Sequence, residues 1–293
     1  MRFHHLMICG MLASIFATSV HAQSTIAPRP FDLTFGKSTI GTLMPGYDLG
    51  QDSEGRSAFQ DDLDNVGASW ELKAVRRFLH TRTSFETRIF YGLSLSNQTQ
   101  SPSDVDVFNP IDGASNAFTG GSAHLGGDLH LYGGDFTIRD TWQTRFGGLS
   151  AGMAFSYMAF DQSFDAEYNQ VRLLSEELNS DFLGGKGVFG WDGFVFGRPT
   201  NVDLGFGYYD LEADYQFNGG AVAGALSKEF SDHSATIDFS WTTWTQLGRF
   251  YTGLTIGGMY ITDMPTIQHN AGSQVTIGTD DAALLNASVQ ILL

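Results

Sequence analysis

The sequence predicts an all-β fold, an antiparallel up-and-down barrel closed on itself, and three observations carry that expectation. Apolar and polar residues alternate with period two over long segments, as they do when successive side chains point to opposite faces of a strand. Neighbouring segments pair in a register that sorts both patterns onto common faces. The composition, 35 glycines and 13% aromatics in 293 residues with only 16% charged, suits a single strand-rich domain. Mean hydropathy is −0.10. After the first 22 residues no apolar run is long enough for a spanning helix, so a helical membrane protein is excluded. An apolar content of 42% excludes a disordered chain.

Residues 1–22 read as an export signal. Arg2 is their only charge, an apolar stretch runs from Leu6 to Val20, and Val20-His21-Ala22 supplies small residues at a cleavage site. Cys9 follows bulky Met7 and Ile8, which argues against lipidation. Cleavage after Ala22 leaves 271 residues, 15 basic against 32 acidic, a net charge of −17. It also removes the only cysteine, so a disulfide-stapled secreted domain is excluded. Such acidity argues against nucleic acid as a partner. Residues 23–293 are then one domain.

A first strand is expected within Lys37 to Leu49. From Val66 to Leu79 one face carries Val66, Ala68, Trp70, Leu72 and Ala74, and the other Ser69, Glu71, Lys73, Val75 and Arg77. From Arg82 to Ser96, Phe85, Ile89, Tyr91, Leu93 and Leu95 oppose Arg82, Ser84, Glu86 and Arg88. A turn at His80-Thr81 puts Leu72 opposite Ile89 and Trp70 opposite Tyr91, with Glu86 diagonal to Lys73 and Arg77 and Glu71 diagonal to Arg88. A slip of one residue destroys that agreement.

Ser122 to Tyr132 places Ala123, Leu125, Leu129 and Leu131 on one face and His124, Asp128 and His130 on the other. Gly133-Gly134 reads as a hairpin turn. Asp135 to Phe146 follows, with Phe136, Ile138, Trp142 and Phe146 opposed to Thr137, Arg139, Thr141, Gln143 and Arg145. This register sets Asp128 against Arg139 and leaves Asp140 on the apolar face. Gly147-Gly148 turns the chain again into Leu149 to Tyr157.

Further strands are expected at Phe182 to Phe196, Val202 to Tyr215, Ala221 to Phe230, Ala235 to Trp244, Phe250 to Ile261 and Leu285 to Leu293. Gln51 to Asn65, Asn97 to Gly121 and Asp263 to Asp281 read as polar loops. Asp161 to Asp181 fits a helical turn, a strand or a loop. The tally is about twelve strands, within a range of ten to fourteen.

A soluble sandwich alternates too. Here the polar face carries charged pairs, the apolar face carries aromatics near strand ends, and the strands reach the roughly 9–11 residues that cross a bilayer. Those features favour a closed antiparallel up-and-down transmembrane β-barrel. The signal ending Val20-His21-Ala22, the paired amphipathic hairpins and the terminal strand Leu285 to Leu293 resemble the outer-membrane β-barrel proteins of Gram-negative bacteria. The run Asn179 to Gly187 resembles the start of a strand in pore-forming major outer membrane proteins of the Legionella type. The resemblance implies the cell outer membrane as location, with membrane lipid and lipopolysaccharide as partners. It also implies a periplasmic C-terminus, hence periplasmic turns at His80-Thr81 and Gly133-Gly134 and outer loops at Asn97 to Gly121 and Asp263 to Asp281. Asp161 to Asp181 breaks this pattern as a long periplasmic connection.

The expected function is a porin-like channel for ions or small solutes, its lumen lined by Glu71, Lys73, Arg77, Arg82, Glu86, Arg88, Asp128, His130 and Arg139. Charge rings of this kind select ions, and an acidic mouth attracts cations. The competing expectations are a non-conducting surface protein (adhesin or envelope tether) and an outer-membrane hydrolase. No metal, cofactor or catalysis is expected. Strand spacing of about 6.6 Å per two residues keeps His124, Asp128 and His130 from converging on one ion. His233 and Ser234 are adjacent and point to opposite faces, and Gly205-Phe206-Gly207 lacks the third glycine of a phosphate loop. Asp61-Asp62 and Asp280-Asp281 are solvated doublets or weak divalent-cation sites. A homo-oligomer is compatible with the pattern.

Overall fold

The computed structural model describes residues 31–52, 60–61, 65–78, 81–100 and 104–293. The expected signal, His80 and Asp62 lie outside them. Ten strands form one closed antiparallel ring. In chain order the elements are β1 (Phe31–Leu43), β2 (Tyr47–Asp48), β3 (Gly50–Asp52), β4 (Gln60–Asp61), β5 (Asn65–Arg77), β6 (Thr83–Gln100), β7 (Asp104–Phe108), β8 (Ser115–Thr119), β9 (Ala123–Thr144), β10 (Gly147–Tyr168), β11 (Val171–Val195), β12 (Arg198–Gly219), β13 (Ala225–Leu247), β14 (Phe250–Asn270) and β15 (Ser273–Leu292). The ring runs β1-β15-β14-β13-β12-β11-β10-β9-β6-β5, with β1 bonded to both β15 and β5. The β5–β6 register has Leu72 opposite Ile89 and Trp70 opposite Tyr91, as the alternation required.

The ring holds ten strands because two expected turns are not turns. Gly133 and Gly134 lie mid-strand in β9, paired to Met158 and Tyr157 on β10. Gly133 is needed for close approach: a Cβ there would sit 2.2 Å from the Tyr157 carbonyl oxygen and 2.9 Å from the Phe90 ring. Likewise the strands expected at Ala221 to Phe230 and Ala235 to Trp244 merge into one, β13, which begins only at Ala225. Asp161 to Asp181 is a hairpin of β10 and β11, turning at Asn169 and Gln170 with φ of 50° and 64°. Removing the false turn at Gly133-Gly134 moves that hairpin to the end opposite the chain terminus. Asp263 to Asp281, expected as a loop, is mostly the hairpin of β14 and β15. Asn179 to Gly187 lies in the middle of β11 rather than at a strand start.

What mimics a turn in the sequence is a reversal of solvent along each strand. In β12 the even residues face outward from Leu204 to Asp214. Leu204, Phe206 and Tyr208 are followed on that face by Asp210, Glu212 and Asp214. The inward face holds Asp203, Gly205 and Gly207, then buried Tyr209, Leu211, Ala213, Tyr215 and Phe217. The lower half is thus apolar outside and polar inside, and the upper half the reverse. At about 3.3 Å per residue, 22 residues are about twice the 9–11 that cross a bilayer.

The lower half presents a continuous apolar belt. Trp142, Leu149, Trp191, Val202, Trp241 and Ile256 are successive partners around its rim. At the reversal level Trp70 stacks on Tyr91 (6.2 Å) and Tyr132 meets Tyr157 (6.5 Å), and Tyr208 and Tyr260 are exposed there. An aromatic girdle at each edge of an apolar belt is the mark of a transmembrane barrel. Among the described residues six arginines (Arg76, Arg77, Arg82, Arg145, Arg198 and Arg249) cluster at the lower end of the barrel. Asp140, which spoiled the apolar face, sits at that rim and accepts 2.7 Å from Thr83 Oγ1.

Candidate functional site

The lower lumen is a charged cavity of about 1140 Å³. Alternation turns every second residue of each strand inward, and the inward set here is charged. Glu71 lies 3.7 Å from Arg88, Arg88 2.6 Å from Asp135, Asp135 4.0 Å from Lys186, and Lys186 2.8 Å from Asp238. This chain of alternating charge crosses from β5 to β13. Ser156 Oγ donates to Asp135 at 2.5 Å, and Tyr209 donates to Ser156 at 3.2 Å. Lys73 pairs with Glu86 at 2.7 Å, Arg139 with Asp203 at 2.5 Å, and Arg77 with Asp32. Such mutual neutralisation lets the charges sit at membrane depth, where an unpaired one is costly.

Seven of the nine expected lining residues border this cavity: Glu71, Lys73, Arg77, Arg82, Glu86, Arg88 and Arg139. Asp128 and His130 do not. They lie in the upper half of β9 on its outward face, and His130 Nδ1 is 2.7 Å from the Tyr91 hydroxyl. The expected Asp128–Arg139 pair is replaced by Arg139–Asp203. The false turn at Gly133-Gly134 had inverted that half-strand, so Leu125, Leu129 and Leu131, expected on the lipid face, are buried inside.

Apolar side chains close the cavity above, among them Ile40, Phe90, Leu131, Met158, Met259 and Leu284. Beyond them the upper lumen is solid. Tyr47 and Leu49 from the first connection and Val105 and Val107 from the second are buried among Phe160, Phe164, Phe182, Tyr215 and Phe217. Backbone bonds hold this cap: Phe108 N to Leu49 O (3.1 Å), Gly272 N to Gly113 O (2.9 Å) and Val275 N to Pro110 O (2.9 Å). Gly113 has φ 68°, and a Cβ there would lie within 2.4 Å of Ser273 backbone atoms.

One charged group stands inside the cap. Glu176 on β11 is fully buried and accepts hydrogen bonds from the Tyr47 and Tyr215 hydroxyls. His269 Nε2 lies 2.9 Å from it, with His269 Nδ1 3.0 Å from the Asp48 carbonyl oxygen. Tyr47 stacks on Phe164 at 4.0 Å. Burial pushes the Glu176 carboxyl up, but the His269 charge and the hydrogen bonds outweigh it and hold it below the usual range. Burial likewise lowers His269, while Glu176 and the Asp48 carbonyl oxygen raise it above 6.5. The pair is therefore ionic, with both imidazole nitrogens donating. Nothing in the local alternation singles out Glu176 or His269; only the parity of β11, fixed by Phe182 and Leu183, would have placed Glu176 inside.

No family model matches the chain, and no curated protein matches it. Solved structures similar to it are outer-membrane barrels. The translocator domain of autotransporter NalP from Neisseria meningitidis is 12% identical, with a TM-score of 0.47, covering 98% of this chain and 95% of that one. The outer membrane protease OmpT from Escherichia coli is 9% identical, with a TM-score of 0.44, covering 92% and 98%. A mutant of the monoaromatic hydrocarbon channel TodX is 11% identical, with a TM-score of 0.30, covering 91% of each. The expectation that the chain is not an enzyme is corrected by these neighbours. One of them is a protease. His233 faces outward, 3.0 Å from Asp210, while Ser234 faces inward and donates to the Thr262 carbonyl oxygen.

Proposed function

We propose that this outer-membrane barrel acts as a closed surface element, holding a rigid acidic head outside the cell above a charged vestibule that faces the periplasm. In such barrels the short turns are periplasmic and the long connections external, which makes the lower end periplasmic and the capped end external. The observation that carries the reading is the packed upper lumen, where Leu49, Val107, Phe160 and Phe182 are fully buried. Export by residues 1–22 and contact with lipid and lipopolysaccharide belong to the same reading.

A porin-like channel is the second reading, and the charged vestibule favours it. It requires the cap to leave the lumen. Planar-bilayer recording separates the two, with heat-dependent gel mobility proving the protein folded. A silent bilayer supports the closed element; discrete, reproducible steps carry the channel and overturn it.

A further inference from the structure

The upper wall is not closed. Strands β13 and β14 pair only from Leu247–Phe250 up to Thr236–Ile261. Above that level β14 turns away through a register shift, with Asp263 at φ 56° and Pro265, which has no amide hydrogen, two residues further on. Its hairpin with β15 leans over the mouth instead, bringing His269 to Glu176 on β11. The upper part of β13 keeps its partner on one side only: Ser227 pairs with Gln216, Glu229 with Asp214, Ser231 with Glu212 and His233 with Asp210, all on β12.

The other side of this segment is a free strand edge. The Ala235 amide crosses to Thr262 Oγ1 at 3.0 Å, which identifies the edge to which the odd residues turn their N–H and C=O groups. Among the described residues no backbone partner reaches Ser227, Glu229 or Ser231 from that edge; the His233 amide bonds only to Asp232 Oδ1 at 2.8 Å. Ser227, Glu229, Ser231 and His233 are exposed, while Leu226 and Phe230 point inward against the cap as a half-built floor. An exposed edge of this kind is a template for one more strand.

We propose that Ser227–His233 is a docking edge for an extended, basic peptide that joins the sheet as an added strand. Charge selects the occupant. Outward on the edge and its neighbour stand Glu229, Asp210, Glu212 and Asp214, with Asp263 and Asp280 across the gap. Two copies of the chain, at −16 each, would bring two acidic edges together. A partner with Lys or Arg at alternate positions instead faces carboxylates on one side and sets its other side chains over Leu226 and Phe230. The inference rests on the proposed external head for its biological setting, but binding in detergent micelles tests it without reference to conductance.

The test uses the folded full chain and a fluorescent nine-residue peptide alternating Lys with Thr and Val. The expected result is saturable binding, with slowed amide exchange at Ser227, Glu229 and Ser231. N-methylation of the peptide's inward-bonding amides leaves the protein untouched and removes two or three hydrogen bonds, so it weakens binding by at least about tenfold. Ser231→Pro and the pair Glu229→Lys, Glu212→Lys weaken it too, each with unchanged heat-dependent mobility. Absence of binding, binding indifferent to N-methylation, or edge amides already protected in a self-associated protein would each overturn the proposal.

Discussion

His269 and Glu176 are 93 residues apart in the chain and meet at 2.9 Å inside the capped half of the barrel. Their contact links the β14–β15 hairpin to the far wall, and through Asp48 and Tyr47 it fixes the first connection as well. Glu176→Ala removes the acceptor of three buried groups and should loosen the head by about 3 kcal/mol or more, whereas Glu176→Gln should cost less. Amide exchange at Leu49 and Val107 measures the effect, and exchange in the lower halves of β9 and β12 should stay unchanged.

The same pair sets a pH window. The contribution of Glu176, held below its ordinary value, is present above about pH 4.5 and fades as pH falls through the lowered folded value. That of His269, held above 6.5, is complete below 6.5 and fades as pH rises through the raised folded value. Protection of the cap should therefore peak in mildly acidic solution and fall on either side. In His269→Gln the loss on the alkaline side should disappear, and the acid-side loss should shrink because His269 is the first of the groups that lower Glu176.

In the vestibule, Asp135 is shared by Arg88 and Lys186. Asp135→Ala takes from Arg88 its 2.6 Å partner and leaves Glu71 and Asp238 as the remaining carboxylates of Arg88 and Lys186, so it should destabilise the barrel by about 1–3 kcal/mol. Lowered midpoints in urea unfolding from vesicles would record it. Ser156→Ala, which removes one hydrogen bond to the same carboxylate, should cost about 1 kcal/mol.

The level of the bilayer can be read along one strand face. Phe206 and Glu212 both point outward from β12, below and above the reversal. Phe206→Arg should cost about 2–4 kcal/mol as a cation in the apolar belt, and Glu212→Arg about 0–1. Equal costs for the two would move the belt.

The period-two pattern carried the strands, the β5–β6 register and seven of the cavity-lining residues, because each is written within a single hairpin. It failed where two environments meet. Leu131 and Phe136 are both apolar and lie five residues apart, so they face opposite ways in one straight strand; assigning them one face required a turn that Gly133-Gly134 seemed to supply. The cap was illegible for another reason: Tyr47, Leu49, Val105 and Val107 gain their surroundings from strands far away in the chain, such as β10, β11 and β12. The Glu176–His269 contact is of that kind too.

The constant parity of β12 from Asp203 to Phe217 makes the two halves of the molecule hostages to one residue count. Deleting the single residue Tyr209 would leave the embedded portion in phase and rotate everything above it by half a turn, burying Asp210, Glu212 and Asp214 and displaying Leu211, Tyr215 and Phe217 to water. Insertions and deletions in these long strands are therefore tolerable only in pairs, even where the chain is far from any loop.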